Sequence, residues 1–157
     1  MSDIHSDALV AALQHAHWEW RKEVGEALAR VRMPEAGVWE RWAAVRYLMD
    51  DFAPRLDREA HILTSLADRL PAEHSGRVWA LGELIQFLCH HLCELGAMPQ
   101  CGPAFADAVT KLIRGFDFWC AEVERALEAA EAGGLVPETI RELQELFSSE
   151  AAVPVGA

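Results

Sequence analysis

A carboxylate within an apolar helix face is the first feature of this chain that could do chemistry. In the segment FAPRLDREAHILTSLADRLP, residues 52–71, apolar residues recur at helical spacing, and Glu59 occupies one of their positions. Burying an ionised carboxylate without a partner costs several kcal/mol. We therefore expect Glu59 to be paired with a cation, protonated or bound to a metal ion.

Two interpretations of Glu59 follow from its neighbours. Arg55 lies one helical turn before Glu59, and Asp51 lies one turn before Arg55, so the three residues predict a ladder of internally neutralised charges. The alternative is that Glu59 is a metal ligand or an acid–base group in a cavity between helices. The ladder is the simpler of the two interpretations.

Two histidines are candidates for the same interior. His17 lies four residues after Leu13 and three before Trp20, beside an apolar stripe, and is either a hydrogen-bonded core residue or a ligand. His74 extends the stripe of a later helix backwards by one turn from Val78. It is either a residue near the helix start that touches solvent or a further ligand.

A second cluster is the pentapeptide CHHLC, residues 89–93. Cys89 and Cys93 are one helical turn apart, which is not the spacing of a zinc knuckle. Cys89 is expected to be a small buried hydrophobe, whereas His90 and Cys93 share the outer face and would need a partner element to bind a metal. The four cysteines and the absence of a secretory signal predict reduced thiols in a cytoplasmic protein.

Composition narrows the classes of function. The net charge of -11 and the pI near 5.0 argue against nucleic acid as a partner. The basic residues are scattered and no apolar run approaches the ~20 residues of a spanning helix, so a membrane is not expected either. The sequence contains no nucleophile–base pair, phosphate loop or Gly-x-Ser-x-Gly elbow, so we expect no catalytic residues and no enzyme.

Proline and glycine divide the chain into four long helical segments and one short segment, with no strand-like alternation. We predict one domain over residues 1–150 and a flexible tail over 151–157. The predicted class is all-α, an up-down-up-down four-helix bundle with a short C-terminal fifth helix. The predicted helices span 6–32, 38–70, 75–95, 103–132 and 137–147.

The second segment has the most regular apolar stripe, with alternating spacings of four and three residues. Trp20 and Trp42 are predicted to lie in the core, whereas Trp18, Trp39 and Trp79 are predicted to lie at the flanks. The flanking tryptophans either mark a surface for dimerisation or seal the rim of the bundle. The predicted inner stripe is Val38, Trp42, Val45, Met49, Phe52, Leu56, Glu59, Leu63, Leu66 and Leu70.

Three short motifs resemble those of hemerythrin-like (HHE cation-binding) domains. Residues 13–21, LQHAHWEWR, resemble the first-helix motif with His17 as its histidine. Residues 54–63, PRLDREAHIL, resemble the second-helix motif, with Arg55 where a histidine is expected before Glu59. Ala72-Glu73-His74 resembles the entry to the third helix. Residues 118–122 fall where the fourth helix would supply its pair.

The resemblance implies a degenerate iron site. Carried over residue by residue, it leaves the metal ligands His17, Glu59, His74 and Glu122, while Arg55, Val78 and Phe118 replace ligands. An arginine at a ligand position places a fixed positive charge beside the metal, which argues against a normal di-iron centre.

The implied function is therefore a non-enzymatic bundle without a cofactor that acts through a protein partner or as a homodimer. The alternative is an iron-binding bundle for dioxygen, nitric oxide or redox sensing.

Overall fold

Every regular element in the described part of the chain is a helix. The structure, a computed structural model, describes residues 3–70, 72–99, 102–133, 135 and 137–152, without the side chains of 3–8, 74 and 146–152. Those residues contain no strand, so the prediction of an all-α protein is confirmed. No helix among them combines the length and the apolar composition that crossing a lipid bilayer requires.

The predicted helical segments are all present, with boundaries that differ by a few residues. A 3₁₀ turn, Arg30–Arg32, follows the first helix, and a π-helical turn, Leu48–Phe52, joins the second and third into one continuous segment. Residues 153–157 of the predicted tail lie outside the described residues. The α-helices are α1 (Asp3–Leu28), α2 (Val38–Tyr47), α3 (Ala53–Ala67), α4 (Ala72–Ala97), α5 (Pro103–Ala132) and α6 (Pro137–Ala152).

The helices share one hydrophobic core, in which α5 contacts both α1 and α4. Helix α3 packs against α4, and α6 packs against α1 and α3. Three buried aromatic rings meet in the core: Trp20 and Phe52 have their centroids 4.5 Å and 5.0 Å from that of Phe116, both edge-on. Helices α4 and α5 approach closely at Gly115, where an added Cβ would lie 3.0 Å from Leu88 Cδ2.

The π turn between α2 and α3 has a cause in the sequence. Pro54, at the start of α3, has no N–H to donate to the carbonyl of Asp50, and its ring would collide with that carbonyl in a regular α-helix. The chain widens instead, and the N–H of Ala53 donates to the carbonyl of Leu48, five residues earlier. A π turn adds one residue to the helix and shifts the register of everything before it.

The register shift corrects the predicted inner stripe. Downstream of the turn the stripe is confirmed, since Phe52, Leu56, Glu59, Leu63 and Leu66 are buried. Upstream it is wrong by one residue: Ala44 and Leu48 are buried in place of Val45 and Met49. Val38 and Trp42, predicted to lie inside, are 70% and 53% exposed. Trp20 is buried, as predicted.

A side-chain contact fixes α2 against the far end of α4. The guanidinium of Arg41 donates to the carbonyl of Met98 and, at 3.4 Å, to that of Gly96. These carbonyls belong to the C-terminal turn of α4, where backbone acceptors have no partner within the helix. Arg41 also lies over the ring of Phe105, 5.7 Å from its centroid. The arginine therefore caps α4 while it holds α2 in place.

The shifted register predicts different costs for two adjacent truncations. Leu48 is 1% exposed and Met49 is 41% exposed. We expect Leu48→Ala to lower the free energy of unfolding by about 2–4 kcal/mol, because it leaves a cavity in the core. Met49→Ala should cost about 1 kcal/mol or less. Urea unfolding of both variants measures these free energies. A larger loss of stability for Met49→Ala would instead indicate the register of an uninterrupted α-helix.

Candidate functional site

The predicted carboxylate lies in the core and meets the predicted histidine there. Glu59 on α3 and His17 on α1 are each 1% exposed. The Oε1 atom of Glu59 is 2.8 Å from Nε2 of His17. Trp119 on α5, which is fully buried, donates its Nε1–H to the same oxygen at 3.2 Å. One carboxylate oxygen therefore links three helices.

The periodicity of each helix explains why these side chains point inward. His17 stands one turn from both Leu13 and Trp20, and Glu59 is similarly placed between Leu56 and Leu63 on the inner stripe of α3. The neighbouring core residues are buried, so both polar side chains are carried into the core with them.

The second ring nitrogen of His17 faces α5. Nδ1 is 3.6 Å from Oε2 of Glu124, too long for a hydrogen bond, and has no hydrogen-bond partner among the described residues. Cys120 lies one turn before Glu124 and is buried close to the same ring. A thiol, an imidazole and two carboxylates therefore surround one buried position.

The surroundings of His17 favour its protonated form. Burial lowers the pKa of His17, but interactions with Cys120, Glu124 and Glu59 and the charge of Glu59 outweigh burial and raise that pKa well above its usual value. Among these three groups, Glu59 is the one that makes a hydrogen bond of 2.8 Å with the ring of His17, whereas Glu124 lies 3.6 Å from Nδ1. At neutral pH, His17 is thus an imidazolium that donates to Glu59, and the two form a buried ion pair. Burial also raises the pKa of the Cys120 thiol, which stays protonated.

The predicted ladder of Asp51, Arg55 and Glu59 is wrong. Arg55 places Nη1 3.9 Å from Oε2 of Glu23, and its guanidinium carbon lies 4.4 Å from the ring centroid of Trp20. A long arginine on the flank of the stripe keeps its charged head at the edge of the core, where it stacks on an aromatic face. Glu59, directed at the centre, takes its donors from α1 and α5.

The other predicted ligands are not part of this cluster. Glu122 forms an ion pair with Arg125, with Oε1 and Nη1 2.7 Å apart. It lies two residues from both Cys120 and Glu124, about 200° around α5 from the side that faces His17. The prediction for His74 falls on a side chain outside the described residues.

The residues that meet do not fit a di-iron centre. Oε1 of Glu59 already accepts two hydrogen bonds, and Nε2 of His17, the nitrogen nearest to Glu59, makes one of them. In the described ranges, no group of three or more His, Cys, Asp or Glu side chains is arranged to hold a metal ion. A metal bound between Glu59 and His17 would have to displace the contact of Oε1 with Nε2.

Sequence reasoning missed two members of the cluster. Trp119 lies three residues after Phe116 and four before Val123, which is the spacing of a core position. A core indole N–H needs an acceptor, and Glu59 was the obvious buried one. Glu124 carries no such signal, because it is one of several acidic residues on α5.

Of the two cysteines of α4, Cys89 departs from its prediction, whereas Cys93 lies on the outer face as predicted. Cys89, expected to be buried, is exposed together with Cys93, and both thiols are free. The inward residues of that part of α4 are Leu88 and Leu92, so Cys89 and Cys93 each lie one residue past the core face. Cys101 lies outside the described residues.

No protein-family model, no curated protein and no solved structure matches this chain. The resemblance to hemerythrin-like domains therefore stays a prediction that depends on the motifs around His17, Glu59 and His74.

Removal of the buried negative charge should destabilise the protein. In Glu59→Gln, the imidazolium of His17 loses its counter-ion inside the core, and we expect a loss of about 3 kcal/mol in the free energy of unfolding at pH 7. Glu122→Gln is the matched control, because its ion pair lies at the surface and should contribute about 1 kcal/mol at most. Chemical denaturation of both variants measures the difference. Equal losses would show that the buried pair contributes no more to the free energy of unfolding than the pair of Glu122 does.

Proposed function

We propose that this chain is a non-enzymatic, hemerythrin-like helical bundle that acts through protein–protein contacts, with the His17–Glu59 pair standing where a metal would lie. The observation that carries the proposal is the apolar outer face of α2. We define the α2 face as Val38, Trp39 and Trp42 on α2 together with Met49 on the π turn that follows it. Trp39 is 76% exposed, the largest exposure among the large apolar side chains of the described residues.

The same proposal includes the up-down-up-down arrangement of α1, α2–α3, α4 and α5. It is supported by the contacts of α5 with α1 and α4, and of α3 with α4, which are those of neighbours around a four-helix bundle. The short connections favour antiparallel neighbours. A cytoplasmic location belongs to the proposal too and is supported by the free thiols of Cys89, Cys93 and Cys120.

The pattern of the α2 face is that of a helix seam. Val38, Trp42 and Met49 lie at spacings of four and seven residues, and Val45, which completes the heptad spacing between them, is half-buried against the core. Scattered exposed apolar residues are normal, but a face with core periodicity is not. We infer that a second helix covers this seam in the functional state.

The partner that fits best is a second copy of this chain. Helix α2 carries one acidic and two basic residues, whereas the whole chain has a net charge of -11, so this face is where two acidic copies repel each other least. A two-fold axis would pack α2 of one copy against α2 of the other, so that the same apolar spacing lies on both sides of the interface.

The size of the face suits a reversible dimer. A buried aromatic side chain covers ~150–250 Å², so the two tryptophans of each copy and their apolar neighbours could bury on the order of 1,000 Å² in total. That is near the lower end of specific interfaces. The guanidinium of Arg46 lies 5.1 Å from the ring centroid of Trp42 and pairs with Asp50, which places a polar rim beside the seam.

The dimer is tested by a double substitution, Trp39→Glu with Trp42→Glu. We expect the unmodified chain to dimerise with increasing concentration in sedimentation velocity, and the double variant to stay monomeric, because four carboxylates would meet across the two-fold axis. Circular dichroism should show unchanged helix content, since both side chains are exposed.

Trp79→Glu is the matched control. Trp79 is 54% exposed on α4, away from the seam, and the same charge change there should leave dimerisation intact. A wild-type chain that stays monomeric at all concentrations would refute the second copy as partner. Dissociation by Trp79→Glu would instead refute the α2 face as the interface, because Trp79 lies on α4.

The metal part of the proposal has its own test. Protein from iron-supplemented cultures should contain far less than one iron per chain and show no ligand-to-metal absorption bands, because Nε2 of His17 and Oε1 of Glu59 are bonded to each other. Elemental analysis together with a visible spectrum measures both quantities. Stoichiometric iron with such bands would favour the sensing alternative, and its loss in His17→Ala would assign the iron to this interior.

A further inference from the structure

Helix α4 presents two thiols on one exposed turn, and the proposed function uses neither of them. Cys89 and Cys93 are both exposed and free, and they lie four residues apart within a continuous helix. Side chains at this spacing stand above one another on the same face, with Cβ atoms about 5–6 Å apart. Rotation about each Cα–Cβ bond can therefore bring the two sulfur atoms together.

The pKa of Cys89 depends on the other thiol and on a residue of a neighbouring helix. Partial burial raises the pKa of Cys89, and electrostatic interactions with Cys93 and with Asp57 on α3 raise it further. Cys89 is therefore a neutral thiol at neutral pH, which makes it a slow nucleophile. A ligand for this pair must be able to displace protons from sulfur.

We propose that Cys89 and Cys93 form a two-thiolate site for a soft monovalent cation, Cu(I). Thiolates select soft cations, and two sulfurs on one helical turn satisfy the low coordination number that Cu(I) accepts. Zinc needs about four donors, and no group of three or more His, Cys, Asp or Glu side chains in the described residues is arranged to supply them.

The binding step is balanced by proton release. Two thiols and one Cu(I) give a bis-thiolate complex with a net charge of minus one and two protons in solution, without any change of oxidation state. Each S–H bond breaks as an S–Cu bond forms.

The adjacent polar residues are engaged with one another. Nε2 of His90 lies 3.2 Å from Oε1 of Glu94, and Nδ1 of His91 lies 3.4 Å from Oε2 of the same carboxylate. The carboxylate of Glu94 thus lies beside both imidazoles, and the proposed site takes its donors from the two sulfurs alone. His90→Ala is accordingly a control that removes a nearby donor without touching the pair.

The test is a competition titration under anaerobic, reducing conditions, in which bicinchoninate reports free Cu(I). We expect the wild-type chain to bind one Cu(I), and Cys89→Ser or Cys93→Ser to weaken binding by at least about 100-fold. His90→Ala, Cys101→Ser and Cys120→Ala should bind as the wild type does. Because Cys89 and Cys93 are exposed, their serine variants should retain the wild-type circular dichroism spectrum.

Three outcomes would overturn the proposal. The first is a wild-type chain that fails to compete with bicinchoninate. The second is undiminished binding in Cys89→Ser or Cys93→Ser. The third is loss of binding in Cys101→Ser or Cys120→Ala, which would show that another thiol binds the copper. The dimerisation experiment is independent of all three, because Trp39 and Trp42 belong to another helix.

Discussion

The buried contact between His17 and Glu59 is the constraint on which the mutual placement of α1, α3 and α5 depends. An apolar core tolerates small rotations and slips of its helices, because one methyl group can replace another. A buried carboxylate does not, since its donors must stand within hydrogen-bonding distance. Here the donors come from two different helices, His17 on α1 and Trp119 on α5, and both use one oxygen. Such a contact contributes little net stability compared with an apolar core, but its loss is costly, so it selects one arrangement of the helices.

The aromatic cluster beside the contact supports it. Trp20 lies three residues after His17, and Phe116 lies three residues before Trp119, so the rings pack directly next to the ion pair. They keep water out and lower the local dielectric, which strengthens the attraction between imidazolium and carboxylate. At the edge of the cluster, the guanidinium of Arg55, whose side chain is 15% exposed, covers the ring of Trp20. The buried polar groups of the protein thus position its helices, whereas the outer faces of α2 and α4 expose tryptophans and thiols to solvent.

Periodicity predicted the helices and the inner faces of α1, α3 and α5, and it identified Glu59 and His17 as inward polar residues. It could not show that these two meet, because the sequence contains no distance between helices and Arg55 was a nearer cation along the chain. Trp119 was within reach of the same reasoning. The one-residue shift in α2 could not be predicted in this way. Pro54 indicates that the helix is disturbed, but it does not determine whether the helix bends, breaks or widens. The assignment of Glu122 came from resemblance alone, and in the structure it lies on another side of α5.

The π turn at Leu48–Phe52 changes the helical register between α2 and α3, which form one continuous segment. The residues from Val38 to Met49 have the composition and period of a core stripe, and one additional residue in the turn rotates them by about 100°, out of the interior. Sequence and burial are therefore decoupled on α2. A change of one residue in the length of this turn would rotate α2 and so change which of its residues face the core. The exposed apolar face could then become buried without any substitution on α2. In evolutionary terms, the exposure of this apolar face can be gained or lost by a change of length.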